Sequence, residues 1–184
     1  MIDILPNIIF SILLIVSVGI FIKNIKKLVT VIKLGKRVDR SDNPKKRFFN
    51  MARVALGQSK MVTKPISGFL HVIVYIGFII INIELLEILI DGVTGSHRFF
   101  SKYFNIYFYN FLIATFEILA LLVLVSVVLF WTRRNIFKIK RFLSNEMKGW
   151  PKFDADNILY FEIVLMLLFL SMNATDSILQ ERNF

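Results

Sequence analysis

The sequence contains no cysteine among its 184 residues and only two histidines. Without thiolates, the chain alone can form no disulfide, no iron–sulfur cluster, no c-type haem attachment and no thiolate metal site. Its serine, histidine and aspartate residues match no hydrolase motif, and it has no phosphate-binding loop. We therefore assign no catalytic residue and expect no catalysis from the isolated chain.

Acidic residues are also scarce: 13 acidic residues face 23 basic ones, for a net charge of +10. Hydrophobic residues make up 56% of the chain, and the mean hydropathy is +0.65. This composition excludes a soluble core and indicates a polytopic membrane protein. The basic residues are confined to loops, as membrane topology requires, so we do not expect nucleic-acid binding.

The hydrophobic runs predict an all-α, polytopic transmembrane helix bundle that forms a single membrane domain over residues 1–184. Its four spans are expected at about residues 4–22, 66–90, 110–131 and 157–175. Residues 23–64 hold 13 of the basic residues and residues 132–156 hold seven more. The positive-inside rule places both loops in the cytoplasm and the N-terminus outside.

The first cytoplasmic loop contains a turn at residues 41–44, followed by basic and apolar residues through Leu56. This pattern predicts an amphipathic helix. It lies on the inner leaflet of the membrane or forms a docking platform for a cytoplasmic domain.

The second span carries polar residues that a plain anchor would not need. At 100° per residue, one helical stripe holds the histidine and a second, nearly opposite stripe holds the carboxylates. The first comprises Gly68, His71, Tyr75, Phe78, Asn82 and Leu86, and the second Gly77, Ile80, Glu84, Glu87 and Asp91. Because an ionisable group facing lipid costs roughly 2.5 kcal/mol or more, both stripes should face protein, cofactor or water.

Two further carboxylates lie in the other spans, Glu117 in the third and Glu162 in the fourth. Counted from the span ends, His71 and Glu162 form a cytoplasmic layer, and Glu84 and Glu117 form an outer layer. These carboxylates, with Glu87, are candidates for proton transfer or quinone binding. The alternative is that they are protonated and form hydrogen bonds across helices.

An intramembrane histidine is a usual axial ligand of b-type haem, and Gly68, one turn before His71, allows a macrocycle to approach the backbone. His71 and His97 lie 26 residues apart, close to 40 Å on one helix, so they cannot bind the same iron. A second ligand would come from another chain, a symmetry mate or a further part of the protein. A quinone site formed by His71 with Tyr75, or by Glu162, and a purely packing role for His71 remain open.

A family resemblance rests on short motifs across nearly the whole chain. They are Ala55-Leu56-Gly57-Gln58, Lys64-Pro65, Gly68-Phe69-Leu70-His71, Tyr75-Ile76-Gly77-Phe78, Ile81-Asn82-Ile83-Glu84, Glu87, Ile90-Asp91-Gly92, Gly95-Ser96-His97-Arg98, Trp150-Pro151-Lys152 and Met172-Asn173-Ala174. With these motifs the chain resembles the N-terminal membrane part of bacterial heterodisulfide-reductase-like iron–sulfur oxidoreductases. That membrane part is in turn similar to the cytochrome b (gamma) subunit of respiratory nitrate reductase.

The resemblance implies a haem-bearing or quinone-facing module of the bacterial inner membrane that passes electrons between an iron–sulfur domain or subunit and the quinone pool. His71 and His97 match the family's histidines and are its candidate haem ligands. Members of the family continue into a further histidine-containing span and a cysteine-rich domain with two [4Fe–4S] clusters. We therefore expect the chain to be the N-terminal part of a longer protein. The alternatives are a non-catalytic anchor or assembly subunit and a small transporter.

Overall fold

The protein is all-α, and four of its helices are long and apolar enough to cross a membrane. The computed structural model describes residues 4–36, 39, 41–59, 61, 65–139 and 148–176. No strand occurs among these residues. The helices are α1 (Leu5–Lys33), α2 (Pro44–Met51), α3 (Pro65–Thr94), α4 (Ile106–Asn135) and α5 (Trp150–Thr175). The chain is therefore a multi-pass membrane protein in a lipid bilayer.

Each long helix contains one predicted span and extends beyond it. Helix α1 continues to Lys33, because the stretch after Ile22 contains lysines but no glycine or proline to end the helix. Helix α5 begins at Trp150, seven residues before the predicted span, and carries Pro151 in its first turn. Proline is tolerated there because the first N–H groups of a helix have no intrahelical partner. Hydropathy thus locates the apolar part of each helix, not its ends.

The predicted amphipathic helix of the first loop is present. Asn43 adopts a left-handed conformation with φ 48°, Pro44 begins α2, and a π-helical segment (Ala52–Leu56) continues it. Phe48 and Phe49 are exposed on this helix. Parts of the two basic loops, residues 37–38, 40, 60, 62–64 and 140–147, lie outside the described residues, and the cytoplasmic side of both loops remains a prediction.

The chain divides into two compact units, of which the first comprises Met1–Gln58 and Leu86–Tyr103. Within it, the Asn7 side chain donates a hydrogen bond to the Gly92 carbonyl oxygen over 2.9 Å. A side chain at Gly92 would overlap the Phe10 ring, so glycine permits this close approach. No residue of α1 is buried, and its apolar surface is available to lipid.

The second unit comprises Ser59–Leu85 and Phe104–Phe184, in which α4 packs along α5. Gly77 of α3 contacts Val123 of α4, and a Cβ at Gly77 would overlap a Val123 methyl group. Small residues at such contacts are a usual device for close helix packing in membranes. The buried apolar residues of this unit are Leu70, Ile81, Tyr109, Ile113, Phe116, Ala120, Val123, Val127, Met166 and Phe169.

Two contacts set how α3 lies against α4. Arg133 donates a hydrogen bond to the Ser67 hydroxyl over 3.2 Å, and Gly77 touches Val123. The contacts are ten residues apart on both helices, so the two helices run antiparallel without a change of register. The first residues of α3 therefore lie beside the last residues of α4.

Candidate functional site

His71 lies in the second turn of α3 and is half-buried. Its Nδ1 atom is fully buried and has no hydrogen-bond partner in the described part of the chain. Gly68, one turn earlier, is buried, and Tyr75, one turn later, is half-buried. Burying a ring nitrogen without a hydrogen bond costs free energy of folding. Nδ1 of His71 can therefore still form a hydrogen bond or a metal bond that the described residues do not provide.

Trp131 provides a second buried ring nitrogen, Nε1, without a hydrogen-bond partner among the described residues, and sequence analysis did not single it out. His71 follows Ser67 by four residues, and Trp131 precedes Arg133 by two. Because Ser67 binds Arg133, both unpartnered nitrogens lie at the same end of the second unit. We call these two nitrogens, His71 Nδ1 and Trp131 Nε1, the ring-nitrogen site.

The two predicted stripes of α3 differ in burial. Glu84 is fully buried and Glu87 is 2% exposed, so the carboxylate stripe faces protein as predicted. On the histidine stripe, Phe78 is 60% exposed and Leu86 is 51% exposed. The histidine stripe therefore lies only partly against protein, and its exposed members face the lipid.

Glu87 holds a buried ion pair within the first unit. Its Oε2 atom lies 3.9 Å from Nη1 of Arg98, which is 4% exposed, and its Oε1 atom accepts the Phe100 N–H over 2.8 Å. Arg98 adopts a left-handed conformation with φ 52°. The sequence suggested Glu87 for proton or quinone chemistry. The structure places it in a contact that anchors residues 95–105, which we call the segment after α3.

Asp91 organises the same segment, a role that its place on the carboxylate stripe did not predict. Its carboxylate accepts the Arg98 N–H over 2.7 Å, the Phe99 N–H over 3.1 Å and the Ser96 hydroxyl over 2.6 Å. A carboxylate that accepts several N–H groups is strongly bound in place. His97, the second candidate haem ligand, lies in this segment with an exposed side chain.

Glu162 differs from these residues because the structure gives it no protein partner. It is half-buried near the middle of α5 and makes no hydrogen bond or ion pair with the described residues. It lines a cavity of about 50 Å³ whose other polar residue is Asn82. The remaining lining residues are Phe78, Ile81, Leu85, Val123, Leu165, Met166 and Phe169.

Glu117 is half-buried on α4 and does not line this cavity.

The second unit also contains an ion pair that sequence reasoning missed. Arg134 Nε lies 2.8 Å from Asp156 Oδ1, and an Arg134 Nη2 group donates to the Lys152 carbonyl oxygen over 2.9 Å. The pair joins the end of α4 to the first turns of α5. The sequence signals this pair only by placing a basic residue, Arg134, and an acidic residue, Asp156, near the two ends of the second basic loop.

Within each unit, the site residues predicted from the sequence take part in different contacts. His71 belongs to the ring-nitrogen site, Glu162 to the cavity, Glu87 to the end of α3, and His97 to the segment after α3. No group of three or more histidine, aspartate or glutamate side chains that could hold a metal ion occurs in the described ranges. We compared the chain with protein-family models, with curated proteins and with solved structures, and none matches it.

Proposed function

We propose that the protein is the membrane module of a respiratory electron-transfer system in the bacterial cytoplasmic membrane. It passes electrons between an iron–sulfur domain or subunit and the quinone pool. The observation that carries this proposal is the ring-nitrogen site. Among the described residues, two aromatic nitrogens, His71 Nδ1 and Trp131 Nε1, are buried without hydrogen-bond partners, and both lie at one end of the second unit.

The residues of this site fit a b-type haem in three respects. A haem-ligating histidine binds iron through one ring nitrogen, and in the described part of the chain no hydrogen bond occupies Nδ1 of His71. Gly68 is buried one turn away. Arg133 and Trp131 supply donors at the same end, suited to the carboxylate groups that a haem carries.

In this proposal His71 would hold the iron, and Trp131 and Arg133 would donate hydrogen bonds to the haem carboxylates. The haem supplies one-electron transfer when it is bound. The chain itself excludes water through the apolar surfaces of α3 and α4 and fixes the histidine by packing. His97 is the second candidate ligand of the chain, but it lies 26 residues from His71, so a second ligand for the same iron would come from another chain, a symmetry mate or a further part of the protein.

The visible spectrum of the protein purified from its native membrane tests this proposal. We expect a Soret band in the wild-type protein and its loss in His71→Ala. The matched control is His97→Ala, which should keep the band because that side chain lies outside the ring-nitrogen site.

A colourless wild-type protein would instead favour an anchor or assembly subunit. Full haem occupancy in His71→Ala with an unchanged midpoint potential would remove the ligand assignment. His71→Met separates ligation from packing, because a methionine ligand keeps a six-coordinate haem and raises its potential.

A further inference from the structure

We propose that the cavity beside Glu162 is a binding site for a lipid-soluble carbonyl compound of the quinone class, with the Glu162 carboxyl group as hydrogen-bond donor. The assignment of the ligand class rests on the proposed function. The site itself rests on four observations: the cavity, its lining, the lack of a protein partner for Glu162, and its opening.

The lining determines the kind of ligand that the cavity accepts. Seven of its nine residues are apolar, and Glu162 and Asn82 are the two polar ones. A calcium or magnesium ion needs six or more oxygen ligands, which two side chains cannot supply. A mostly apolar, uncharged molecule with a hydrogen-bonding group fits this lining.

Glu162 and Asn82 differ in which of their hydrogen-bonding groups remain unused in the described structure. The Asn82 amide donates to the Phe78 carbonyl oxygen of its own helix, so its oxygen remains as an acceptor. Glu162 makes no hydrogen bond or ion pair with the described residues. The neutral carboxyl group, which an apolar cavity accepts at least cost, has one O–H to donate. A carbonyl oxygen is the matching partner.

The opening of the cavity indicates how the ligand enters. Phe78 is 60% exposed and Leu165 is 50% exposed, and both belong to membrane-spanning helices. The cavity therefore opens toward lipid, and a ligand that reaches it must dissolve in the membrane. The exposed Phe78 ring also offers a stacking surface for an aromatic ligand at the opening.

The volume limits how much of the ligand is enclosed. A water molecule needs roughly 10–15 Å³ of such space, so 50 Å³ holds about four atoms of that size. A complete quinone ring is larger. The carbonyl edge of the ring therefore lies inside next to Glu162, and the rest of the ring and the isoprenoid tail lie at the opening.

The test measures binding of radiolabelled 2-methyl-1,4-naphthoquinone to the purified full chain in detergent, corrected for partition into empty micelles. Glu162→Leu removes the donor and should weaken binding about tenfold, as loss of one buried hydrogen bond predicts. Glu162→Gln keeps a donor and should restore most of the affinity. Glu117→Leu removes a half-buried carboxyl group outside the cavity and should bind as the wild type does.

Equal affinity of Glu162→Leu and the wild type would overturn the site and leave the cavity to water or a lipid acyl chain. Equal losses in Glu162→Leu and Glu117→Leu would also overturn it. A steric variant, Met166→Trp, fills the cavity and keeps the Glu162 carboxyl group, and it should abolish binding; retained binding would contradict the proposal.

The outcomes also separate this site from the proposed function. Glu162-dependent quinone binding in a colourless protein would retain the site and reject haem-based electron transfer. A Soret band without Glu162-dependent binding would reject the site alone.

Discussion

Carboxyl groups play opposite roles in two regions of the molecule. One region is the end of α3 with the segment after α3, and the other is the cavity lined by α3, α4 and α5. In the first, Asp91 accepts two backbone N–H groups and a hydroxyl, and Glu87 pairs with Arg98. In the second, Glu162 has an apolar surrounding and no hydrogen bond or ion pair to the described residues. A buried polar group costs free energy unless it is paired. The bonds of Asp91 and Glu87 thus stabilise the fold, while the unused carboxyl group of Glu162 is the group that we assign to a ligand.

Glu87→Leu should give the largest loss of stability, about 3 kcal/mol, because it removes the carboxylate from a buried arginine. The measurement is thermal or denaturant unfolding in detergent, followed by circular dichroism. Glu117→Leu is the control and should change stability far less. The double variant Glu87→Leu/Arg98→Leu should recover part of the loss, since it leaves no buried charge unpaired. A loss below 1 kcal/mol in the single variant would contradict the structural role of Glu87.

Asp91→Ala should cost about 2 kcal/mol, since two N–H groups and one hydroxyl lose their acceptor. Hydrogen exchange should accelerate at the Arg98 and Phe99 amides and remain unchanged in α5. Asp91→Asn keeps one acceptor oxygen and should show an intermediate effect. Unchanged exchange at both amides in Asp91→Ala would show that the segment is held by other contacts.

Gly77→Ala should cost about 1 kcal/mol, because the added methyl group overlaps Val123 and forces α3 and α4 apart. Val123 also lines the cavity, so naphthoquinone affinity should fall together with stability. Gly19→Ala is the matched control, since nothing lies near its Cβ position. Equal stability of Gly77→Ala and the wild type would mean that the helix contact is loose.

Glu162→Leu should change stability least, by less than about 0.5 kcal/mol, or raise it slightly. It replaces a carboxyl group that has no described partner with an apolar side chain in an apolar lining. The same unfolding assay applies, so Glu162→Leu and Glu87→Leu can be compared directly. A loss as large as that of Glu87→Leu would show that Glu162 is a structural residue and would remove the contrast between the two regions.

The sequence predicts the four spans because a bilayer requires about twenty consecutive apolar residues, and hydropathy detects such runs. It also predicts that Glu84 and Glu87 face protein, because helical periodicity places them on one stripe. It does not predict where α1 ends or where α5 begins, since helices continue through lysines and tolerate proline in their first turn. The bonds of Asp91, the Arg134–Asp156 pair and the cavity depend on which residues meet in space, which periodicity within one helix does not contain.

Reduction of the wild-type protein by 2-methyl-1,4-naphthoquinol, followed at the Soret band, tests the central claim most directly. The account predicts a Soret band that quinol reduces, and a rate about tenfold lower in Glu162→Leu at subsaturating quinol. Dithionite should reduce both proteins fully, which controls for haem content. A protein without a Soret band, or one whose haem quinol does not reduce, would contradict the proposed function.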